Sequence, residues 1–413
     1  MKKKVLAALL TSSMVLGTFA GCMTASAEED ITLTFWSPTW HQAADEAVIA
    51  DFEEANPNIH IDATFYSTAD IKSNLKVAAT SDTMPDMWYM WGGANYADYY
   101  YRAGLAKDLS EYAEANKWDE KFLPSAMELC KSADGAVECL PQVYTGLIMW
   151  YRKDIFEENG VTVPTTFEEL ENVCATLKEN GVTPFSTAGD YTYRFTEALI
   201  EYFCGAEEHD ALNAFETSWA ESEGVTKAME KLKEWTDLGY FIDGFITEDT
   251  ANEKMYVYSG TAAMVLDNSS VASDVVANDY DPALYGYFIL PVGRVSAYVK
   301  TTQFNKNLTD EQFEAAMKFW DYYLSDESIA AHAEIEQPTA VAGAPLSSSM
   351  ALADGLLEAI NEAGSYMTSD QNIPDEVVSV LFSAEEKVVL GEIEPSEYGV
   401  EVQAAIDAYQ ANK

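Results

Sequence analysis

Ile31, Leu33 and Phe35 alternate with threonines, which predicts a strand with one buried face. Ala44, Ala47, Val48 and Phe52 then recur at helical spacing until Asn56-Pro57 stops the helix. Ile59, Ile61, Ala63 and Phe65 alternate again, Ile71, Leu75 and Ala78 mark a second helix, and Met84-Pro85-Asp86 leads into the apolar run Met87 to Trp91. This β-α-β-α-β order predicts a parallel sheet covered by helices. The tyrosines at 99 to 101 fall in a helix-like segment and read as packing or surface residues.

Beyond Leu123-Pro124, the stretch Cys130 to Leu140 reads as a hairpin about Asp134-Gly135, a two-residue turn signal. In that register Cys130 and Cys139 face each other in a non-hydrogen-bonded pair, so a disulfide between them is expected in an exported chain. A second α/β run begins near Tyr144. Thr166 and Glu169 have the spacing of a capping box ahead of Phe167, Leu170, Val173 and Leu177, and Gly181 closes that helix. Val225, Met229, Leu232 and Trp235 mark another helix ending at Gly239, Ala262 to Leu266 a buried strand, and Thr309 with Gln312 a further capping box before Phe313, Met317, Trp320 and Leu324. The tail from Ser347 is mostly helical in pattern. The fold class is therefore α/β in both halves.

The N-terminus changes where this fold must work. Met1-Lys2-Lys3-Lys4 followed by the apolar stretch Val5 to Ala20 has the form of a secretory signal, residues 1–21. Phe19-Ala20-Gly21-Cys22 resembles a bacterial lipobox, with Phe19 in place of the usual aliphatic residue, and implies lipidation of Cys22 and anchoring on the outer face of the cytoplasmic membrane. Ala25-Ser26-Ala27 offers a competing cleavage site that would release the protein. No later segment is apolar enough to span a bilayer. The formal charge is −45, and loss of the signal lysines makes it more negative still, which disfavours nucleic acid and anionic lipid as partners. Cys130, Cys139, Cys174 and Cys204 lack the paired short spacing of a zinc site, and the histidines at 41, 60, 209 and 332 are scattered, which reads as isolated surface residues. No phosphate loop, nucleophile elbow or calcium loop occurs, so neither metal nor cofactor is expected.

Several stretches together carry a resemblance: Thr32-Leu-Thr-Phe-Trp36, Phe52-Glu-Glu-Ala-Asn-Pro57, Met84-Pro-Asp86, Ala103 to Leu109, Asp134-Gly135 through Pro141, Tyr151-Arg-Lys-Asp-Ile-Phe156, Pro164 to Leu170, Gly260-Thr-Ala-Ala-Met264 and Leu290-Pro291. In this order and spacing the chain resembles the family 1 extracellular solute-binding proteins, the group that contains the maltose-binding proteins. The resemblance implies a two-lobed periplasmic-binding-protein-like fold with a hinged cleft. It implies lobes of residues 22–141 with 294–335 and of 142–293 with 336–413, with crossings near Pro141 to Tyr144, Leu290 to Gly293 and Glu336 to Val341. It also implies a monomer that captures a carbohydrate and hands it to the permease subunits of an ABC importer.

Sugars present rim hydroxyls and apolar C–H faces, so their sites need flat aromatics and bidentate polar side chains. At strand ends these types are Trp36, Trp40, Trp91, Tyr144, Asp190, Tyr191, Tyr193, Asp267 and Asn268. Where relatives with known sugar ligands often place Trp after the Gly260 motif, this chain has Asn268-Ser269-Ser270. Two other readings stay open: an enzyme acting on extracellular polysaccharide, because paired carboxylates are defined only in three dimensions, and a peptide- or polyamine-binding relative.

Overall fold

The computed structural model describes residues 30–132, 134–332, 339–346 and 348–412; the signal segment, Cys22 and Glu336 lie outside the described residues. Strands β1 (Ile31–Pro38), β2 (Ile59–Tyr66) and β3 (Met87–Trp91) lie parallel in the order β2-β1-β3. Helices Gln42–Ala55 and Thr68–Ser81 connect them, as the periodicity predicts. Asp86 sets the entry to β3: its carboxylate accepts from Thr34 N at 2.8 Å, and its own N–H donates to Thr34 Oγ1 at 2.9 Å.

Seven more strands complete two sheets. The first four are β4 (Leu140–Gly146), β5 (Ile148–Arg152), β6 (Thr183–Ser186) and β7 (Ala262–Asp267). Later in the chain follow β8 (Tyr285–Phe288), β9 (Val295–Phe304) and β10 (Ser365–Met367). The first sheet runs β10-β9-β3-β1-β2 with β4 also on β9, and the second runs β6-β7-β5-β8. Strand β9 is antiparallel to β3, pairing Trp91 with Lys300 and Met87 with Phe304. Since β5 pairs antiparallel with β7, Ile148 opposite Asp267, the passages between the sheets leave the second sheet at the carboxyl end of β7. They join the first sheet beside the carboxyl end of β3. All of β4 belongs to the first sheet, so the first passage falls at Leu147, beyond the expected Pro141 to Tyr144, and the second runs from Phe288 to Val295.

The tail returns to both sheets. Thr339 bridges Val143 and Val341 bridges Phe122, and β10 joins β9 in the first sheet. Helices Asp375–Leu390 and Pro395–Ala411 then pack against Glu223–Asp237. Gly399, on the helix Pro395–Ala411, packs tightly on the turn Trp219–Glu221 that precedes Glu223–Asp237: an added Cβ would stand 2.2 Å from the Trp219 carbonyl oxygen.

Local expectations fail at three places. The loop about Asp134-Gly135 is longer than a two-residue turn: Ser132 N donates to Ala136 O at 2.9 Å, and Lys131 bridges Val137. The Ser132 hydroxyl takes part in this loop, accepting from Ala136 N at 3.1 Å and bonding Asp134. This register sets Cys130 against Glu138, whose N–H donates to Cys130 O at 3.0 Å, so Cys130 and Cys139 are not cross-strand partners and both are buried free thiols. At the helix Phe167–Glu179 only half the capping box forms, because Glu169 accepts from Thr165 N rather than Thr166 N; the Thr309–Gln312 box is complete. Finally, His41, His209 and His332 are buried rather than on the surface, each beside a carboxylate: Asp45 at 2.9 Å, Glu201 at 2.7 Å and Asp51 at 3.3 Å.

The Gly399 contact gives a direct test of how the tail is held. Gly399→Ala forces a methyl onto backbone, and the expected cost is about 1–3 kcal/mol of stability in urea denaturation with the helical circular dichroism largely kept.

Candidate functional site

The carboxyl ends of β2, β1 and β3 deliver aromatic rings to one edge of the first sheet. Trp40, in the turn after β1, is 41% exposed and so keeps much of a ring face open. Its edge contacts are to Tyr89 at 5.3 Å between centroids, and Tyr89 in turn meets Trp91 at 5.0 Å and Trp91 meets Tyr96 at 5.8 Å. Trp36 sits against Tyr66 at 5.2 Å. All of these rings except Trp40 belong to a small cluster with Ile71, Leu75 and Trp88, separate from the main core. Edge-to-face packing of this kind fixes ring orientation without covering every face.

Two lysines lie on these rings. Lys300 Nζ is 4.2 Å from the Trp40 centroid, and Lys72 Nζ is 4.7 Å from Trp91 and 4.5 Å from Tyr96, where it also donates to the phenol oxygen at 2.8 Å. Such contacts suit partly desolvated cations. Burial pulls the Lys300 ammonium down to about 7, with Lys254 adding to the shift and Asp267 opposing it. Lys72 is lowered by burial too, against the pull of Asp370 and Asp375.

The facing wall comes from the second sheet. Asp267, at the end of β7, is 2% exposed and pairs with Arg194 Nη1 at 3.1 Å and Lys254 Nζ at 3.8 Å. Arg194 also bonds Glu253 at 3.0 Å and Leu266 O at 3.1 Å, and lies 3.6 Å over the ring of Tyr191. Burial lifts the Glu253 carboxyl to about 8 although Arg194 works against it. A buried carboxylate set among two cations costs far less than an unpaired one. Asn268 donates to the Tyr298 hydroxyl at 2.8 Å, and Ser269 shares a hydrogen bond of 3.1 Å with Thr145. Tyr298 is on β9 and Thr145 on β4, so these bonds bring the end of β7 against the first sheet.

The expected residues therefore divide. Trp40 and Trp91, with Trp36 beside them, line the first wall; Asp267, Asn268 and Tyr191 line the second. Tyr144 is 1% exposed with its hydroxyl on Ser365 at 2.9 Å, and Tyr193 is 3% exposed against Phe382, so both are packing residues. Asp190 is exposed in the turn before Tyr191 and has no part in the Arg194 cluster. Pattern reading missed Arg194, Lys254, Tyr298 and Lys300. Lys300 carried a signal, being a charge inside the otherwise uncharged strand run Val295 to Phe304; Arg194 carried none beyond its place after Tyr191 and Tyr193.

Among the described residues, no helix is long and apolar enough to cross a membrane and no group of three or more His, Cys, Asp or Glu is placed to hold a metal. A family model described as bacterial extracellular solute-binding protein matches residues 47–357. An uncharacterised ABC transporter extracellular-binding protein of Pyrococcus horikoshii is 24% identical over 323 residues, 73% of this chain and 72% of its own. The melibiose/raffinose/stachyose-binding protein MelE of Bacillus subtilis is 25% identical over 194 residues, 44% of this chain and 42% of its own. Among solved structures, a chitin oligosaccharide binding protein superposes with a TM-score of 0.82 at 20% identity, covering 92% of this chain and 99% of that one. A Bacillus licheniformis sugar transporter in complex with stachyose gives 0.70 at 18% identity, covering 91% and 98%. At such identities the structural likeness is one of fold, and that fold is the two-lobed one expected. With the family model spanning most of its length, the chain belongs to the bacterial extracellular solute-binding proteins.

Proposed function

We propose that the protein captures a sugar or short oligosaccharide in the cleft between its lobes and presents it to the permease of an ABC importer. The observation that carries this reading is the set of rings Trp40, Trp91 and Tyr96, braced by the buried Tyr89, facing a wall of paired polar side chains. Ring faces take the C–H faces of a pyranose, and the carboxylate and amide of Asp267 and Asn268 suit its hydroxyls. The sugar-binding names of relatives such as MelE support the same class. The lobes follow the two sheets, and the passages at Leu147 and Phe288 to Val295 serve as hinges. The polypeptide works as a binding protein with no catalytic residues, acts as a monomer, and is held to the membrane by a lipid on Cys22.

A thermal-shift panel of neutral oligosaccharides, peptides and polyamines tests the substrate class. Sugars are expected to raise the melting temperature, by about 2.7 kcal/mol of stabilisation at a hundredfold excess over Kd; a response to peptides or polyamines alone overturns the reading, as does release of reducing sugar from a glycan panel. Trp40→Ala should weaken sugar binding by about 1–3 kcal/mol with little change in urea stability, because so much of its ring is open. Tyr144→Phe should do the reverse, losing the bond to Ser365 at about 1 kcal/mol of stability and leaving affinity unchanged. For the anchor, wild-type protein should fractionate with membranes and Cys22→Ser should not, while soluble wild-type protein beginning at Glu28 would favour the alternative cleavage site.

A further inference from the structure

Helix Tyr193–Asn213 carries three buried carboxyl or imidazole side chains outside the cleft: Glu197, Glu201 and His209, respectively 1%, 2% and 0% exposed. Eight residues of straight helix would separate Glu201 from His209 by about 12 Å. The chain breaks at Gly205, with φ 74°, and His209 Nδ1 comes back to donate to Glu201 at 2.7 Å. The other donor to Glu201 is Arg294, through Nε at 2.9 Å and Nη2 at 3.0 Å; Arg294 also reaches Asp210. A side chain at Gly293 would be strained by the φ of 127° and tight against Glu201, 3.2 Å from an added Cβ. Glu197 accepts the backbone N–H of Ser369 and the Ser296 hydroxyl at 3.3 Å. Tyr366, in β10, presents its ring to His209 at 4.7 Å and lies 5.2 Å beneath the Arg294 guanidinium.

Arg294 belongs to the passage that returns the chain from the second sheet to the first and Ser296 to the start of β9 that it leads into, and Tyr366 to Ser369 belong to the last segment that touches the first sheet before the terminal helices. One helix of the second lobe thus holds both return segments through two neighbouring carboxyls. We propose that Glu197, Glu201 and His209 form a proton-sensitive clamp on the hinge, which grips both return segments while Glu197 is protonated and loosens when it ionises. Glu197 and Glu201 are positioning residues. The consequence for ligand capture rests on the cleft reading above.

Every group around Glu197 bears on the direction. Burial pushes its carboxyl up to about 7; His209 on its own helix opposes this, and Asp370 in the segment after β10 adds to it. Arg294 is spent on Glu201 and Asp210, while Tyr193, Tyr366 and Tyr398 are phenols that stay neutral, raised further by burial. Glu385, on the helix Asp375–Leu390, is likewise pushed up by burial, to about 8. In the opened state Glu197 ionises near 4.5, and between that pH and about 7 only the opened state has lost the proton. Closure of the clamp therefore weakens as pH rises through that window and levels off above it. Glu201 runs the other way: burial opposes its ionisation, but His209 and Arg294 outweigh this and hold it at about 2, so its change is complete below the window.

Amide hydrogen exchange of the ligand-free protein tests the clamp. After correction for intrinsic rates, peptides carrying Arg294 to Ala297 and Tyr366 to Gln371 should lose protection by roughly 10- to 100-fold between pH 5 and 7.5. Glu197→Gln should flatten that profile. Ser296→Ala, which removes a donor to the carboxylate, should move the transition to higher pH and serves if the glutamine variant does not fold. A wild-type profile that is flat, or one that either variant leaves in place, overturns the clamp. Because no ligand is present, absence of a sugar response leaves this result intact; where a sugar is found, its Kd should rise across the same window in the wild type and not in Glu197→Gln.

Discussion

Strand β9 is the element on which the rest of the molecule depends. Its ten residues pair with β3, β4 and β10, so segments more than 200 residues apart in the chain meet along one backbone ladder. Buried polar side chains on one face tie the same strand down: Thr301 donates to Met90 O at 2.8 Å, and Gln303 accepts from Trp88 at 3.0 Å while donating to Ala97 O at 2.8 Å. A buried strand whose amides and carbonyls are used on both edges has one register open to it. That register also decides where Ser296, Tyr298 and Lys300 stand, and with them the hinge contact, the bond to Asn268 and the floor beneath Trp40.

The cleft is polar but its charges are shared out internally. Arg194 answers Glu253 and Asp267, and Lys254 answers Asp274 and Asp267. On a chain carrying so large a negative charge, Glu253, Asp267 and Asp274 each have a cation beside them already. That pairing leaves a polyamine few partners on this wall, which favours the sugar reading on electrostatic grounds.

The sequence made the elements legible wherever one periodicity dominated. β1 to β3, the helices Gln42–Ala55 and Glu223–Asp237, and the Thr309 box all lie where the pattern places them, because local propensity and burial agree there. The site was legible in part. Trp40, Trp91 and Asp267 follow strands whose carboxyl ends meet the cleft, but Tyr144 and Tyr193 hold equally suggestive positions and are core, since side-chain direction depends on a register that chain order does not give. Arg194 escaped notice because its function comes from partners 59 and 72 residues away. The expected Cys130–Cys139 register is off by one residue: the loop closes between Ser132 and Ala136, through backbone and hydroxyl, and so sets Cys130 opposite Glu138 in the ladder.

The central claim is that two lobes close on a sugar. Small-angle scattering of the protein with and without a sugar that raises its melting temperature measures this directly. Closure predicts a smaller radius of gyration in the complex, because hinge rotation brings the two sheets' aromatic and polar walls together. A sugar that stabilises the protein while leaving the radius of gyration unchanged would contradict it.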